Sequence, residues 1–275
     1  MKKTTVIIGP TASGKSSLSL QLAKPLQAAV ISADAFQVYK DFNIGTGKLS
    51  VEEQQGVAHY LLDIQSPTEP YSVQTFLDLS SQIINKKDHP AYIICGGSAL
   101  YIRALLYGYR PLKRLPVDAR PEGDAKSLWE SLNAIDPALA KKTPFQNKQR
   151  VQRYLELHAI YQCPPSELLQ QSNQNTQAYQ VIGISIEKTV LKEKISQRVD
   201  QMIDRGLVDE VNHLMKKYDT SAPAFQAIGY KESIQYLQGL VSKNTMIDQI
   251  KTHSYQYAKR QMTWFKAFHH VQWQS

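Results

Sequence analysis

At 275 residues, 42% of them hydrophobic and 20% charged, the chain has room for one large core, or a core with a smaller lobe, and its composition excludes wholesale disorder. No apolar run approaches the roughly 20 residues of a bilayer span, and Gly9-Pro10 breaks the stretch behind Met1-Lys2-Lys3 too early for a signal peptide. The net charge of +8 is unevenly placed, with 14 Lys/Arg against 13 Asp/Glu in residues 1–140 and 18 against 11 in residues 141–275.

Residues 4–9 are a β-branched run that predicts a strand, followed by a loop and a helix over 14–26. Residues 28–32 form a second apolar strand ending at Asp34, and 72–85 carry helical spacing through Val73, Phe76, Leu77, Ile83 and Ile84. A third buried strand at 91–95 turns at Gly96-Gly97 into a helix bearing Leu100, Tyr101, Leu105 and Leu106. This alternation, with continuously apolar strands, predicts an α/β fold: a parallel sheet covered by helices on both faces. Residues 111–123, rich in Pro, Arg and Lys, read as a linker. Beyond it, helices are predicted at 125–133, 147–162, 189–205, 208–218, 230–238 and 245–268, with one more strand at 179–185 after a polar loop at 171–177. The two cysteines, Cys95 and Cys163, fit a reducing cytoplasm and offer neither a disulfide framework nor a metal site. The basic surplus of the second half points to a polyanionic partner or to a solvated basic face.

Gly9-Pro10-Thr11-Ala12-Ser13-Gly14-Lys15-Ser16 satisfies G-x-x-x-x-G-K-[ST] at every fixed position, after a strand and opening a helix. Its glycines let backbone N–H groups turn inward around phosphate oxygens. The helix N-terminus and Lys15 add positive charge, and the Ser16 hydroxyl is the candidate ligand of Mg²⁺. The loop alone fits a kinase or NTPase that binds ATP as well as a transferase that expels pyrophosphate. Hydrolases with this loop place a metal-binding Asp at the end of a later strand, whereas the third strand here ends Ile93-Ile94-Cys95-Gly96. Asp34 is the lone acid placed for proton transfer or metal binding, its alternative role being a cap or turn residue.

Asp34 stands in Ile31-Ser32-Ala33-Asp34-Ala35-Phe36-Gln37-Val38-Tyr39-Lys40, followed by Asn43-Ile44-Gly45-Thr46-Gly47-Lys48. With the phosphate loop upstream, the chain resembles the tRNA dimethylallyltransferase (tRNA isopentenyltransferase) family. Further segments carry the likeness: His59-Tyr60-Leu61-Leu62-Asp63, Tyr71-Ser72-Val73, Gly96-Gly97-Ser98-Ala99-Leu100-Tyr101-Ile102, Ala227-Ile228-Gly229-Tyr230-Lys231-Glu232, and Ala258-Lys259-Arg260-Gln261-Met262-Thr263-Trp264-Phe265-Lys266. The resemblance runs from about Thr4 to Trp273. It implies a fold like that of P-loop NTPases, with a core of residues 1–110 and 178–275 and a helical insertion lobe at 111–177 that binds tRNA.

The reaction implied is transfer of the dimethylallyl group of dimethylallyl diphosphate to the exocyclic amine of the adenosine just 3′ of the anticodon. By the resemblance, Asp34 is the general base, Thr11 lines the reaction centre, and Arg198 reaches the diphosphate. Gly9 to Ser16 hold the diphosphate with Mg²⁺ on Ser16. Asp34, Ala35, Phe36, Gln37 and Ser98 meet the target adenosine, which has to be splayed out of its stack. Beside Gln149, Arg150 and Arg153 are expected one helical turn apart on one face, and residues 251–266 hold four Lys/Arg, no acid, and four interleaved aromatics. Lys259 and Arg260 are therefore expected on the anticodon stem-loop, with Arg120 as a further contact, while Trp264 and Phe265 are expected in the core. A monomer in the cytoplasm is expected.

The chain departs from the family pattern at several positions. Ser98 stands for Thr, keeping a hydroxyl. Gly47 replaces Ala and Leu49 replaces Pro, a change expected to affect loop stiffness more than chemistry. Lys231 and Lys266 replace Arg, Tyr255 replaces Arg, and residues 110–147 are shorter than usual, with Pro144-Phe145-Gln146-Asn147 in place of the usual His-Pro-Asn-Asp. The two competing readings are a small-molecule kinase, which leaves the basic second half unexplained, and a non-catalytic RNA-binding module, which leaves Asp34 unexplained.

Overall fold

The structure, a computed structural model, describes residues 4–108, 112, 114–170 and 179–274. The chain divides into two compact units, one of Met1–Leu106 with Thr176–Ser275 and the other of Tyr107–Asn175. The predicted polar loop at 171–177 lies outside the described residues, as do Pro111 and Lys113 of the predicted linker.

In the first unit the elements run β1 (Thr4–Ile8), α1 (Lys15–Leu26), β2 (Ala29–Ser32), β3 (His59–Tyr60), α2 (Val73–Lys86), β4 (Tyr92–Cys95) and α3 (Ala99–Tyr107). The second unit holds α4 (Ala125–Ile135), α5 (Pro137–Lys141), α6 (Lys148–Tyr161) and α7 (Pro165–Gln170). The first unit resumes with β5 (Tyr179–Ile184), α8 (Lys188–Asp204), α9 (Leu207–Lys217), α10 (Tyr230–Leu237), α11 (Lys243–Phe265) and β6 (Val271–Gln274).

The strands make one six-stranded sheet in the order β3-β2-β4-β1-β5-β6, every neighbouring pair parallel. All residues of β1, β2 and β4 are buried, which is why they read as continuous apolar runs rather than alternating ones. The predicted helices and strands are present within a few residues, because caps mark their ends. Ser72 accepts the Thr75 N–H, Asp124 those of Lys126 and Ser127, and Ser242 that of Thr245. Four elements escaped the sequence reading. β3 is two residues long, α5 is a five-residue helix capped by Asp136, α7 is a six-residue helix, and β6 pairs with β5 through Val181 opposite Val271. The last predicted helix also stops at Phe265, three residues early, and its remainder turns through a left-handed His270 into β6.

The largest core cluster joins α8, α9, α10 and α11 to Val38, Tyr39 and Phe42, with Phe42, Phe225 and Tyr230 in mutual ring contact. The second unit has its own core of Leu128, Leu132, Val151, Tyr154 and Leu157.

Candidate active site

Three neighbouring strands, β2, β4 and β1, end at one edge of the sheet, and their carboxyl-end turns build the site. This is the edge at which parallel α/β sheets bind ligands. The turn after β1 is the phosphate loop. Gly9 (φ 157), Ala12 (φ 61) and Gly14 (φ 90) give it its shape, and Lys15 donates to the Pro10 carbonyl oxygen at 2.6 Å. Burial lowers the Lys15 pKa from 10.5 to about 8, and nearby Arg198 lowers it too, against the opposing effects of Cys95 and Asp34. Ser13 Oγ is buried without a hydrogen-bond partner, and Ser16 is exposed at the start of α1.

The turn after β4 has no side chains in the way. A Cβ on Gly96 would lie 2.1 Å from the Ala33 carbonyl oxygen, so only glycine lets β4 and the end of β2 come this close. Ser98 donates its N–H to the Ala33 oxygen at 3.2 Å, and its Oγ accepts the Ala35 N–H at 3.0 Å. Asp34 is thereby fixed in a tight turn: its Oδ1 accepts the N–H groups of Phe36 (2.9 Å) and Gln37 (3.3 Å), and no described residue bonds Oδ2. The turn role and the reactive role are therefore both available, one oxygen to each.

These turns line one cavity of about 540 Å³ that takes in Thr11 to Ser16, Asp34, Phe36, Gln37, Arg198 and Arg260. Burial lowers the Arg198 pKa, with Asp34 pulling the other way. The guanidinium lies against Gly47, where a Cβ would stand 1.9 Å from Nη2. The glycine at 47 thus shapes the cavity wall as well as the loop. Gln37 is less free than expected: its Nε2 faces the Thr46 and Gly47 carbonyl oxygens at 3.3 Å, and its Oε1 accepts from Ser32 Oγ at 3.1 Å.

Gln261, a residue with no expected role, ties the site together. Its side chain, 3% exposed, crosses from α11 to both glycine-rich turns. Oε1 accepts the Thr11 N–H at 2.8 Å, and Nε2 donates to the Gly97 carbonyl oxygen at 2.8 Å. Thr11 N–H is thus committed within the protein. Tyr257, a turn earlier, reaches Gln261 and Ser98, and burial raises its pKa. The signal that could have found Gln261 is an uncharged amide between basic residues on a helix whose neighbours Ala258 and Phe265 are buried.

Other expected RNA residues are dispersed. Lys259 lies outside the cavity with Nζ 5.2 Å from the Tyr255 ring centroid. Phe265 is fully buried as expected, but Trp264 is 41% exposed with the Arg103 guanidinium 5.6 Å from its ring centroid, a correction to the expected core position. α11 turns about 100° per residue, so adjacent aromatics face different sides. In the second unit Gln149 and Arg150 are exposed, Arg150 donating to Tyr154 Oη at 2.6 Å. Arg153 turns inward to Glu156 (2.7 Å) and the Leu112 carbonyl oxygen (2.6 Å), so the two arginines do not share one free face. Arg120 makes a long contact to the Leu115 carbonyl oxygen at 3.4 Å.

The IPP transferase family model matches residues 37–268. The chain belongs to the IPP transferase family. The tRNA dimethylallyltransferase of Anoxybacillus flavithermus is 40% identical over 279 residues, covering 99% of this chain and 90% of that protein. The crystal structure of the full-length tRNA isopentenylpyrophosphate transferase of Bacillus halodurans is similar with a TM-score of 0.73 and 36% identity, over 100% of this chain and 90% of the other. A eukaryotic dimethylallyltransferase, caught in crystallographic snapshots acting on tRNA, is similar with a TM-score of 0.81 and 28% identity, over 96% of this chain and 70% of the other. The phosphate loop and Asp34 precede the family match but fall inside the reach of these relatives. No helix among the described residues is long and apolar enough to cross a membrane.

Proposed function

We propose that this chain transfers the dimethylallyl group of dimethylallyl diphosphate to the exocyclic amine of the adenosine immediately 3′ of the tRNA anticodon, releasing pyrophosphate. The observation that carries the reading is that the phosphate loop and Asp34 line one cavity of about 540 Å³ with Arg198, Arg205 and Arg260. A diphosphate grip and a carboxylate facing the same small space are what alkylation of a weakly nucleophilic amine needs. The amine nitrogen attacks the allylic carbon, the carbon–oxygen bond to diphosphate breaks, and the amine proton passes to Asp34 Oδ2. Lys15 and Arg198 take up the charge that develops on the leaving pyrophosphate.

Ser16, exposed and hydroxyl-bearing at the start of α1, fits a Mg²⁺ ligand in company with diphosphate oxygens. When bound, that ion neutralises leaving-group charge. Among the described residues no group of three His, Cys, Asp or Glu side chains makes an alternative metal cluster. Arg260 and Lys259 on α11, and Gln149 and Arg150 on α6, are the RNA contacts of this reading. Arg153 and Arg120 keep a place in it as contacts that their internal partners must release. Ala35, Phe36, Gln37 and Ser98 hold the adenine. The enzyme acts as a monomer in the cytoplasm, a setting that suits its two free thiols.

The test is incubation with Mg²⁺, labelled dimethylallyl diphosphate and an unmodified tRNA bearing adenosine next to the anticodon. Label is expected in the RNA at that base. Phosphate release from ATP, with no label in RNA, would replace this reading with the kinase or NTPase one.

A further inference from the structure

One carboxylate outside the cavity organises its wall. Glu210, in the first turn of α9, points at the loop Asn43–Gly47 and accepts a fan of donors. The N–H groups of Asn43 (3.2 Å), Ile44 (2.9 Å to Oε2) and Gly45 (3.4 Å to Oε1) converge on it, and so does the hydroxyl of Tyr230 (2.6 Å). Successive backbone N–H groups gathered this way form a nest for an anion, and here the anion is built in. The Tyr230 ring packs so tightly on the loop that a Cβ at Gly45 would lie 2.4 Å from it. From the loop's other end, Lys48 donates to Asn43 Oδ1 at 3.0 Å and to the Tyr39 carbonyl oxygen at 2.7 Å.

The loop so held presents its last two carbonyl oxygens to the site. Those of Thr46 and Gly47 face Gln37 Nε2, and that of Thr46 lies 3.5 Å from Arg198 Nη2. The guanidinium rests in the space left by the missing Gly47 side chain. We propose that Glu210 is a positioning residue: by holding the Asn43–Gly47 backbone it fixes the seat from which Arg198 meets the diphosphate. The inference rests on the reading that Arg198 contacts that group.

Glu210→Gln tests it, because an amide offers one acceptor oxygen and turns an N–H₂ donor toward groups that are themselves donors. The measurements are kcat and KM for donor and for RNA, the inhibition constant of inorganic pyrophosphate, and Tm. The donor KM and the pyrophosphate constant are expected to rise about tenfold, with the RNA KM within about threefold of wild type. Glu210→Gln added to Arg198→Ala is expected to cost less than about threefold further, since Glu210 acts through the arginine that is already missing. A fully additive double variant, or equal losses for donor and RNA, would overturn the proposal. If Glu210→Gln does not fold, Tyr230→Phe removes only the one hydroxyl among the donors that hold the carboxylate and is expected to shift pyrophosphate affinity in the same direction; no shift there counts against the proposal. A wild-type protein that neither binds pyrophosphate nor labels RNA would instead defeat the functional reading itself.

Discussion

The two oxygens of Asp34 have different occupations. Oδ1 holds the N–H groups of the turn, and Oδ2 has no bond to a described residue in a side chain that lines the cavity. Asp34→Ala is therefore expected to lower kcat by about 10²–10⁴-fold while RNA binding persists, read by single-turnover labelling beside a filter-binding assay. Lys15 sets a pH limit on the donor. On the proposed reading it meets a diphosphate in its protonated form, and burial lowers its pKa to about 8. The Lys15 share of pyrophosphate affinity, taken as the ratio of wild type to Lys15→Met at each pH so that the ligand's own ionisation cancels, is accordingly expected to be flat below about pH 7 and to fall above about pH 8. Calorimetry in two buffers of different ionisation heat should show more proton uptake for wild type than for that variant in the upper range. At this scale the motif residues were legible because glycines, lysine and serine at fixed spacing have few other uses. Gln261 and Glu210 were not, because their partners are backbone groups far away in sequence.

Among the elements, β1, β2 and β4 were legible as unbroken apolar runs. The short β3 and the terminal β6 were not, since each becomes a strand only by pairing with a neighbour that the sequence does not name. α5 carried a signal that went unread, Asp136 before Pro137, a cap followed by a residue suited to the first turn. α11 is the element on which the site depends most. It carries Arg260 on the cavity wall and, at the next residue, the amide that spans two turns. Gln261→Leu leaves the Thr11 N–H and the Gly97 carbonyl oxygen without partners in a buried place. A loss of about 2–4 kcal/mol in stability is expected, seen as a lower urea midpoint, together with weaker pyrophosphate binding.

For the whole molecule, the charge asymmetry of the sequence resolves into two units that are both basic. Tyr107–Asn175 holds 10 Lys/Arg against 7 Asp/Glu, and the remainder holds 22 against 17. Each unit thus carries its own surplus of cations. The second unit has its own core, and Leu132 is fully buried in it. Leu132→Ala is expected to destabilise that unit by about 2–5 kcal/mol. Pyrophosphate affinity should stay within about twofold, because the cradle belongs to the other core, while the KM for RNA rises. Equal loss of both would show that the two cores do not fold independently.

The missing side chain at residue 47 makes one wall of the cavity answer to another. A methyl group there has no room unless the Arg198 guanidinium leaves, and long side-chain tips yield more readily than backbone. Gly47→Ala would also place alanine at φ 62, a strain of about 1–2 kcal/mol. The expected result is a small drop in Tm with a disproportionate change in pyrophosphate affinity. On the proposed reading, a methyl group that never touches the substrate would thus displace the side chain assigned to meet it.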